Sequence, residues 1–223
     1  IKDSDTLTWV SLKTIQVKME LKADVSLSDT IGIAIAKIAQ NEGVSPRYIA
    51  ADCSGNQGAV TDVVERHVGK GILRLQYAGR QGDGRLDKTV NDILRAGRRA
   101  WHNKRAEMYY AFRMFGRANQ IRNLDDDTAM ELTQIEWVKA NHPMLVEDKD
   151  DVRKRIGRSP DNADTAVMAL DLARYRMQLR LAEMGGGVAQ ERLPPIHDVD
   201  NSAEFCKDDW QPEDEPVMNE SEV

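Results

Sequence analysis

The sequence predicts an α/β domain followed by an acidic tail, and three observations carry that expectation. Strand-like and helix-like segments alternate between residues 25 and 80 at the spacing of strand-helix-strand units. Glycines stand where helices have to stop, at Gly43 and Gly69. The acids are unevenly spread: residues 188–223 hold eleven acids and two bases, Arg192 and Lys207, a charge of −9 against −6 for the whole chain. Residues 1–187 therefore carry +3, a mildly basic body able to approach nucleic acid.

The elements follow in order. TLTWVSLKTIQVKMEL reads as one or two strands, with alternation from Thr14 to Leu21. SLSDTIGIAIAKIAQNEG predicts a helix capped by Ser28 or Asp29, with Ile31, Ala34 and Ile38 on its stripe. A strand over Arg47–Ala51 runs out at Asp52, and AVTDVVERHVG predicts the next helix, stopped at Gly69 before the strand ILRLQYAG. Residues 80–99 are polar, basic and glycine-bearing and begin as a loop. A long helix is expected over Lys104–Gly116, and another over LDDDTAMELTQIEWVKANH with Asp125 near its start. Met144–Glu147 reads as a short strand, DDVRKRIG as a turn or two of helix, and the last helix runs from Pro160 to about Glu183, stopped by Gly185–Gly187. The body is taken as residues 1–186. Residues 187–223 are Pro-rich, acidic and weakly apolar, a loosely attached or disordered tail that adds nothing to the fold.

With 223 residues the chain has room for one cored domain and a tail. Cys53 and Cys206 are far apart in unlike contexts, which excludes a disulfide framework or a cysteine zinc site and suits a reducing compartment. No signal peptide or transmembrane-length apolar run is present, so no membrane role is expected. The first residue is Ile, which reads as a piece of a longer chain. His67, His102, His142 and His197 lack metal spacing, and His67 reads as a cap or surface residue. Trp101, Tyr109, Tyr110, Phe112 and Phe115 read mostly as core.

The stretch GRSPDNADTAVMAL holds the most chemistry. Ser159 is a natural cap and Pro160 fits the first helical position, so Asp161 falls where a negative charge favours a helix start. Asp164 is less easily explained that way: it shares a face with Asp161 and runs into Ala166, Val167 and Leu170. A carboxylate against an apolar wall needs a partner or a metal. Asp52 ends a strand, where open α/β sheets bind ligands; its simplest role is an Asx-turn. The GNQG after it is no phosphate loop. A strand-end acid and helix-start acids can converge on Mg²⁺ or Mn²⁺, and two such ions about 4 Å apart suit phosphodiester hydrolysis. Lys149 either steadies phosphate charge or is a solvated helix-start lysine.

Three pieces carry a resemblance: YIAADCSGNQGAVTDVVERHVG, NKRAEMYYAFRMFG and VEDKDDVRKRIGRSPDNADTAVMAL. In order and spacing, over roughly residues 25–180, the chain resembles the C-terminal nuclease domain of tailed-bacteriophage terminase large subunits. Thr165 before Ala166 is a small departure. The resemblance implies a ribonuclease H-like fold, a mixed central sheet with helices on both faces. It implies metal-dependent endonuclease action on concatemeric double-stranded DNA, with two Mg²⁺ or Mn²⁺ ions in the complete site. Asp52 matches the family's later strand-end acid, Asp164 the helix-start acid, and Asp161 stands beside it. Lys149 falls in the family's Lys-acid turn. The implied partners are DNA, a portal protein, a small terminase subunit and an ATPase domain of the same polypeptide, working in the host cytoplasm at the procapsid portal.

The family's first acid, on a strand before a small glycine-rich loop, has no counterpart before Trp9, where Asp3 and Asp5 are the only acids. The expectation is that this strand lies outside the chain and that the fragment alone cuts poorly. Arg80, Arg85, Lys88, Arg95, Arg98, Arg99, Lys104 and Arg105 are denser than a solvated face needs, though Asp83, Asp87 and Asp92 dilute them, and the first six are expected to contact DNA phosphates. Two other readings stay open: another ribonuclease H-like enzyme such as a junction resolvase or transposase, and a non-catalytic module that docks portal protein or DNA.

Overall fold

A computed structural model describes residues 1–14, 26–54, 58–78, 99–141 and 143–182. The chain divides between Gln190 and Glu191. The second unit, and the boundary expected at 186–187, lie outside the described residues, as do residues 15–21 of the expected N-terminal strand and the expected glycine stop at 185–187.

Helix α1 (Leu27–Asn41) is capped by Ser26, whose hydroxyl accepts from the Asp29 amide, and not by the expected Ser28 or Asp29. Its buried face is Gly32, Ala36 and Ala39; Ile31, Ala34 and Ile38 are only half-buried. The reason is close approach to helix α2 (Gly58–Val68). A Cβ at Gly32 would come within 2.5 Å of Val63, so the small-residue face makes the contact. Gly43 and Gly69, both at positive φ, follow the two helices as expected.

Pro46–Tyr48 form a 3₁₀ turn, because Pro46 starts a helical turn better than a strand. That shortens strand β1 to Ala50–Asp52. It pairs in parallel with β2 (Leu73–Leu75) across the α2 crossover, placing Asp52 opposite Leu75.

Helix α3 (Lys104–Arg117) is capped by Asn103, which accepts from the Ala106 amide at 2.9 Å. It is buried nearly all round and forms the middle of the core with Trp101, Leu75, Val146 and the inner face of the last helix. Trp101 and Phe115 are fully buried and Tyr109 and Phe112 nearly so, as expected; Tyr110 is half-buried.

Helix α4 (Asp126–Gln134) is capped by Asp125 but stops short of the expected length. Ile135 turns extended and Trp137–Lys139 become β3, antiparallel to β4 (Leu145–Val146). β-Branched and aromatic residues at 135–138 favour a half-buried strand, and β4 needs a ladder partner. Helix α5 (Lys149–Ile156) ends at Gly157, at φ 76°. Helix α6 (Asp161–Arg176) ends seven residues before the expected Glu183. Gln178 takes a left-handed φ of 53°, and the chain returns extended so that Leu179 and Leu181 enter the core.

The described residues thus form a mixed α/β fold with six α-helices and two two-stranded sheets; one mixed central sheet is not assembled among them. No helix among the described residues is long and apolar enough to cross a membrane.

Two features fix α6. A buried ion cluster joins it to α3: Lys104 Nζ lies 3.2 Å from Glu107 and 3.0 Å from Asp171, and Arg174 lies 3.2 Å from Asp171 and 3.8 Å from Glu107. Gln120 ties the ends together, donating to the carbonyls of Lys2 and Arg180 and accepting from the Ala182 amide. Asp3, the early acid, is spent there on Thr6 and the Arg180 amide, and Asp5 pairs with Arg180 at 3.1 Å.

Candidate active site

The site begins with how α6 starts. After Gly157 the chain turns through Arg158, Ser159 and Pro160. Ser159 does not cap the helix; its hydroxyl donates to Asp161 at 2.8 Å. The cap comes from another element. Glu131 of α4, 1 % exposed, accepts the Ala163 amide and the Asn162 side chain, each at 3.0 Å, and pairs with Arg158 at 3.3 Å. A buried carboxylate on free N–H groups at a helix start is favourable, and this one fixes the turn carrying Asp161 and Asp164.

Asp164 is 3 % exposed. Its Oδ1 accepts the Tyr109 hydroxyl at 2.7 Å and Arg105 Nε at 3.4 Å. Its Oδ2 lies 2.9 Å from the Lys149 ammonium, which lies equally close to Asp161. Arg105 also donates through Nη1 to the Glu147 carbonyl and packs over the Tyr109 ring at 4.9 Å. Two carboxylates thus face two cations. Burial opposes the Lys149 charge, but Asp164 and Asp161 outweigh it and push its pKa up. Burial likewise works against ionised Asp161, yet hydrogen bonds from Lys149 and Ser159 hold its carboxyl below the usual range. Burial first, then the Asp164 charge, pushes the Tyr109 hydroxyl well up, so it remains a donor.

Asp52 makes the turn the local reading expected: its Oδ1 accepts the Ser54 amide at 2.8 Å. Tyr77 links it to α6. The Tyr77 amide donates to Ser54 Oγ at 3.2 Å and its hydroxyl to the Asp164 carbonyl at 3.1 Å. Burial, and then the charges of Asp164 and Asp52 with a smaller effect of Asp161, push the Tyr77 phenol well up. A hydrogen-bonded path through Ser54 and Tyr77 therefore joins the strand-end acid to the start of α6, which packs against β1.

Among the described residues, no three His, Cys, Asp or Glu side chains are gathered closely enough to hold a metal ion by themselves. The donor chemistry nonetheless fits Mg²⁺ or Mn²⁺, which bind through one or two carboxylates plus waters and phosphate oxygens. Both carboxylates are met by the Lys149 ammonium, which an incoming ion would have to displace. No protein-family model, curated protein or solved structure matches this chain.

Of the expected DNA-contacting residues, Arg80, Arg85, Lys88, Arg95 and Arg98 lie outside the described residues, and Arg99 is exposed beside buried Ala100. Lys149, expected near phosphate or in solvent, is engaged by both acids. His67 is exposed in the last turn of α2. Sequence reasoning missed Arg105, Tyr109, Tyr77, Glu131 and Glu147. Arg105 and Tyr109 stood inside NKRAEMYY, but one was counted as basic density and the other as core.

Glu147 anchors the strand entering the site. Arg155 grips both its oxygens, at 2.6 and 2.7 Å, and the Glu136 amide donates at 2.7 Å. The Arg155 hydrogen bonds hold its carboxyl below the usual range despite burial. A depressed folded-state pKa contributes stability that is present above the ordinary glutamate range and lost as pH falls through the folded value. Melting temperature should therefore drop between pH 5 and lower values, and Glu147→Gln should lower it at pH 7 while flattening the decline below about pH 4. Parallel pH–melting curves for parent and variant would refute this.

Proposed function

We propose that this chain is a nuclease domain of the ribonuclease H-like kind, from the large subunit of a phage packaging terminase, that cuts double-stranded DNA with Mg²⁺ or Mn²⁺. The observation that carries the reading is the acid pair at the start of α6, held by a single ammonium 2.9 Å from each acid, with the strand-end Asp52 joined to the same turn through Ser54 and Tyr77. Asp164 and Asp161 would hold the ion, with Asp52 on the β1 side. When bound, such ions activate water and stabilise the leaving oxygen of a phosphodiester.

The chain's own residues do the rest. Arg105 and Tyr109 hold one oxygen of Asp164, which leaves the other facing Lys149. Glu131 holds the turn on which both acids sit. Lys149, released from the acids, would bring its positive charge to the scissile phosphate. The exposed Arg99, with the basic residues before it, would position the duplex through phosphates without reading bases. In the packaging setting, the partners would be a portal protein, a small terminase subunit and an ATPase domain, and the place the procapsid portal in the host cytoplasm.

The test is nicking of supercoiled plasmid. Cleavage with Mn²⁺ or Mg²⁺, abolished by a chelator and with little base preference, supports the reading. It should be slow in this chain and faster in one extended upstream by a strand carrying a further acid. No metal-dependent nicking by either form would remove it.

A further inference from the structure

We propose that Tyr109 and Arg105 are positioning residues that set which divalent cation the acid pair accepts, by occupying one oxygen of Asp164 and so denying bidentate chelation. The inference rests on reading Asp161 and Asp164 as a cation site, and adds a selectivity device to it.

The two oxygens of Asp164 face different partners. Oδ1 points inward to the Tyr109 hydroxyl at 2.7 Å and Arg105 Nε at 3.4 Å. Oδ2 points to the Lys149 ammonium at 2.9 Å. The inward pair has little freedom to turn away. Tyr109 is 5 % exposed on helix α3, and Arg105, 7 % exposed, lies over its ring at 4.9 Å. Arg105 is anchored at its other end by the Glu147 carbonyl, two residues before Lys149. One guanidinium therefore fixes Asp164 and registers it against the segment that carries the lysine.

The consequence follows from ion chemistry. Ca²⁺ takes six to eight oxygens and commonly binds carboxylates through both oxygens, whereas Mg²⁺ requires near-octahedral single-oxygen contacts. A carboxylate restricted to Oδ2 suits Mg²⁺ and Mn²⁺ and penalises Ca²⁺. Tyr109→Phe keeps the ring and its packing but releases Oδ1 from its shortest bond.

The experiment is calorimetric titration of this chain with MnCl₂ and with CaCl₂. The ratio of the Ca²⁺ to the Mn²⁺ dissociation constant should fall about tenfold in Tyr109→Phe, the size typical of losing a hydrogen bond to a metal ligand. Simple loosening of the fold would weaken both ions together and leave the ratio alone. Asp164→Asn should lose Mn²⁺ binding, placing the ion at this carboxylate. Should Tyr109→Phe fail to fold, Arg105→Lys carries the same test, with the ratio moving in the same direction. An unchanged ratio in the folded variant overturns the inference while leaving the nuclease reading intact. Mn²⁺ binding that survives Asp164→Asn also overturns it. No Mn²⁺ binding by the parent overturns it together with the metal-dependent reading.

Discussion

Asp164→Asn should reduce Mn²⁺-dependent plasmid nicking by more than about a hundredfold. Loss of a residue that merely orients a metal ligand costs about ten- to a hundredfold, so loss of the ligand itself should exceed that. Asparagine keeps the shape and an acceptor for Tyr109, but removes the negative charge facing Lys149 and Arg105. Leaving buried Arg105 without its anion is destabilising, so activity must be compared at equal folded fraction. Asp161→Asn supplies the cleaner second arm. Its side chain is 65 % exposed, so the fold should be retained while nicking falls by a smaller factor. Parental cutting rates in both folded variants would mean that these aspartates serve only the helix start.

Lys104→Met should lower the free energy of unfolding by about 3–5 kcal/mol, the range for stripping one partner from a buried ion pair. Glu107 and Asp171 are fully buried at the side chain, and Lys104 and Arg174 balance them two charges to two. Without Lys104, Glu107 and Asp171 lose the ammonium that lies 3.2 and 3.0 Å from them. Removing a carboxylate as well, in Lys104→Met with Glu107→Leu, leaves one balanced pair, so the double variant should be less destabilised than the two single losses combined. Urea unfolding measures this, and additive losses would show that the cluster is not coupled. The lysine pKa cannot substitute for the mutation. Burial pulls it down, but Asp171 and Glu107 outweigh burial and leave it raised. The stability it contributes is thus present below the ordinary lysine range and fades only as pH rises through its folded value, far from neutrality.

These two expectations show what the sequence could and could not reveal. Local signals were legible. Glycine at positive φ after α1 and α2, the Asp125 cap and the Asx-turn at Asp52 all depend on residues a few positions apart. The acid pair was legible because proline followed by spaced aspartates at an apolar helix is locally unusual. Pairings across the chain were not. Glu131 caps a helix thirty-two residues later, and an acid on a mixed-polarity helix gives no sign of that. Arg105 lies fifty-nine residues from Asp164, in a run whose charges suggested a solvated or DNA-facing surface. Its burial follows only from α3 being enclosed on nearly every side. The strand at Trp137–Lys139 was hidden by the helix before it, and the end of α6 by Leu179 and Leu181, which extend a helical pattern yet enter the core from an extended chain.

The central claim is that Asp164, with Asp161 beside it, holds a divalent cation in the place the Lys149 ammonium now takes. Crystals grown with Mn²⁺ and measured at the manganese edge test it most directly. The account predicts an anomalous peak about 2.1 Å from Asp164 Oδ2, with Oδ1 still on Tyr109 and the Lys149 ammonium moved away. A well-ordered Mn²⁺ crystal with no peak there, and Lys149 still bridging the two aspartates, would contradict it.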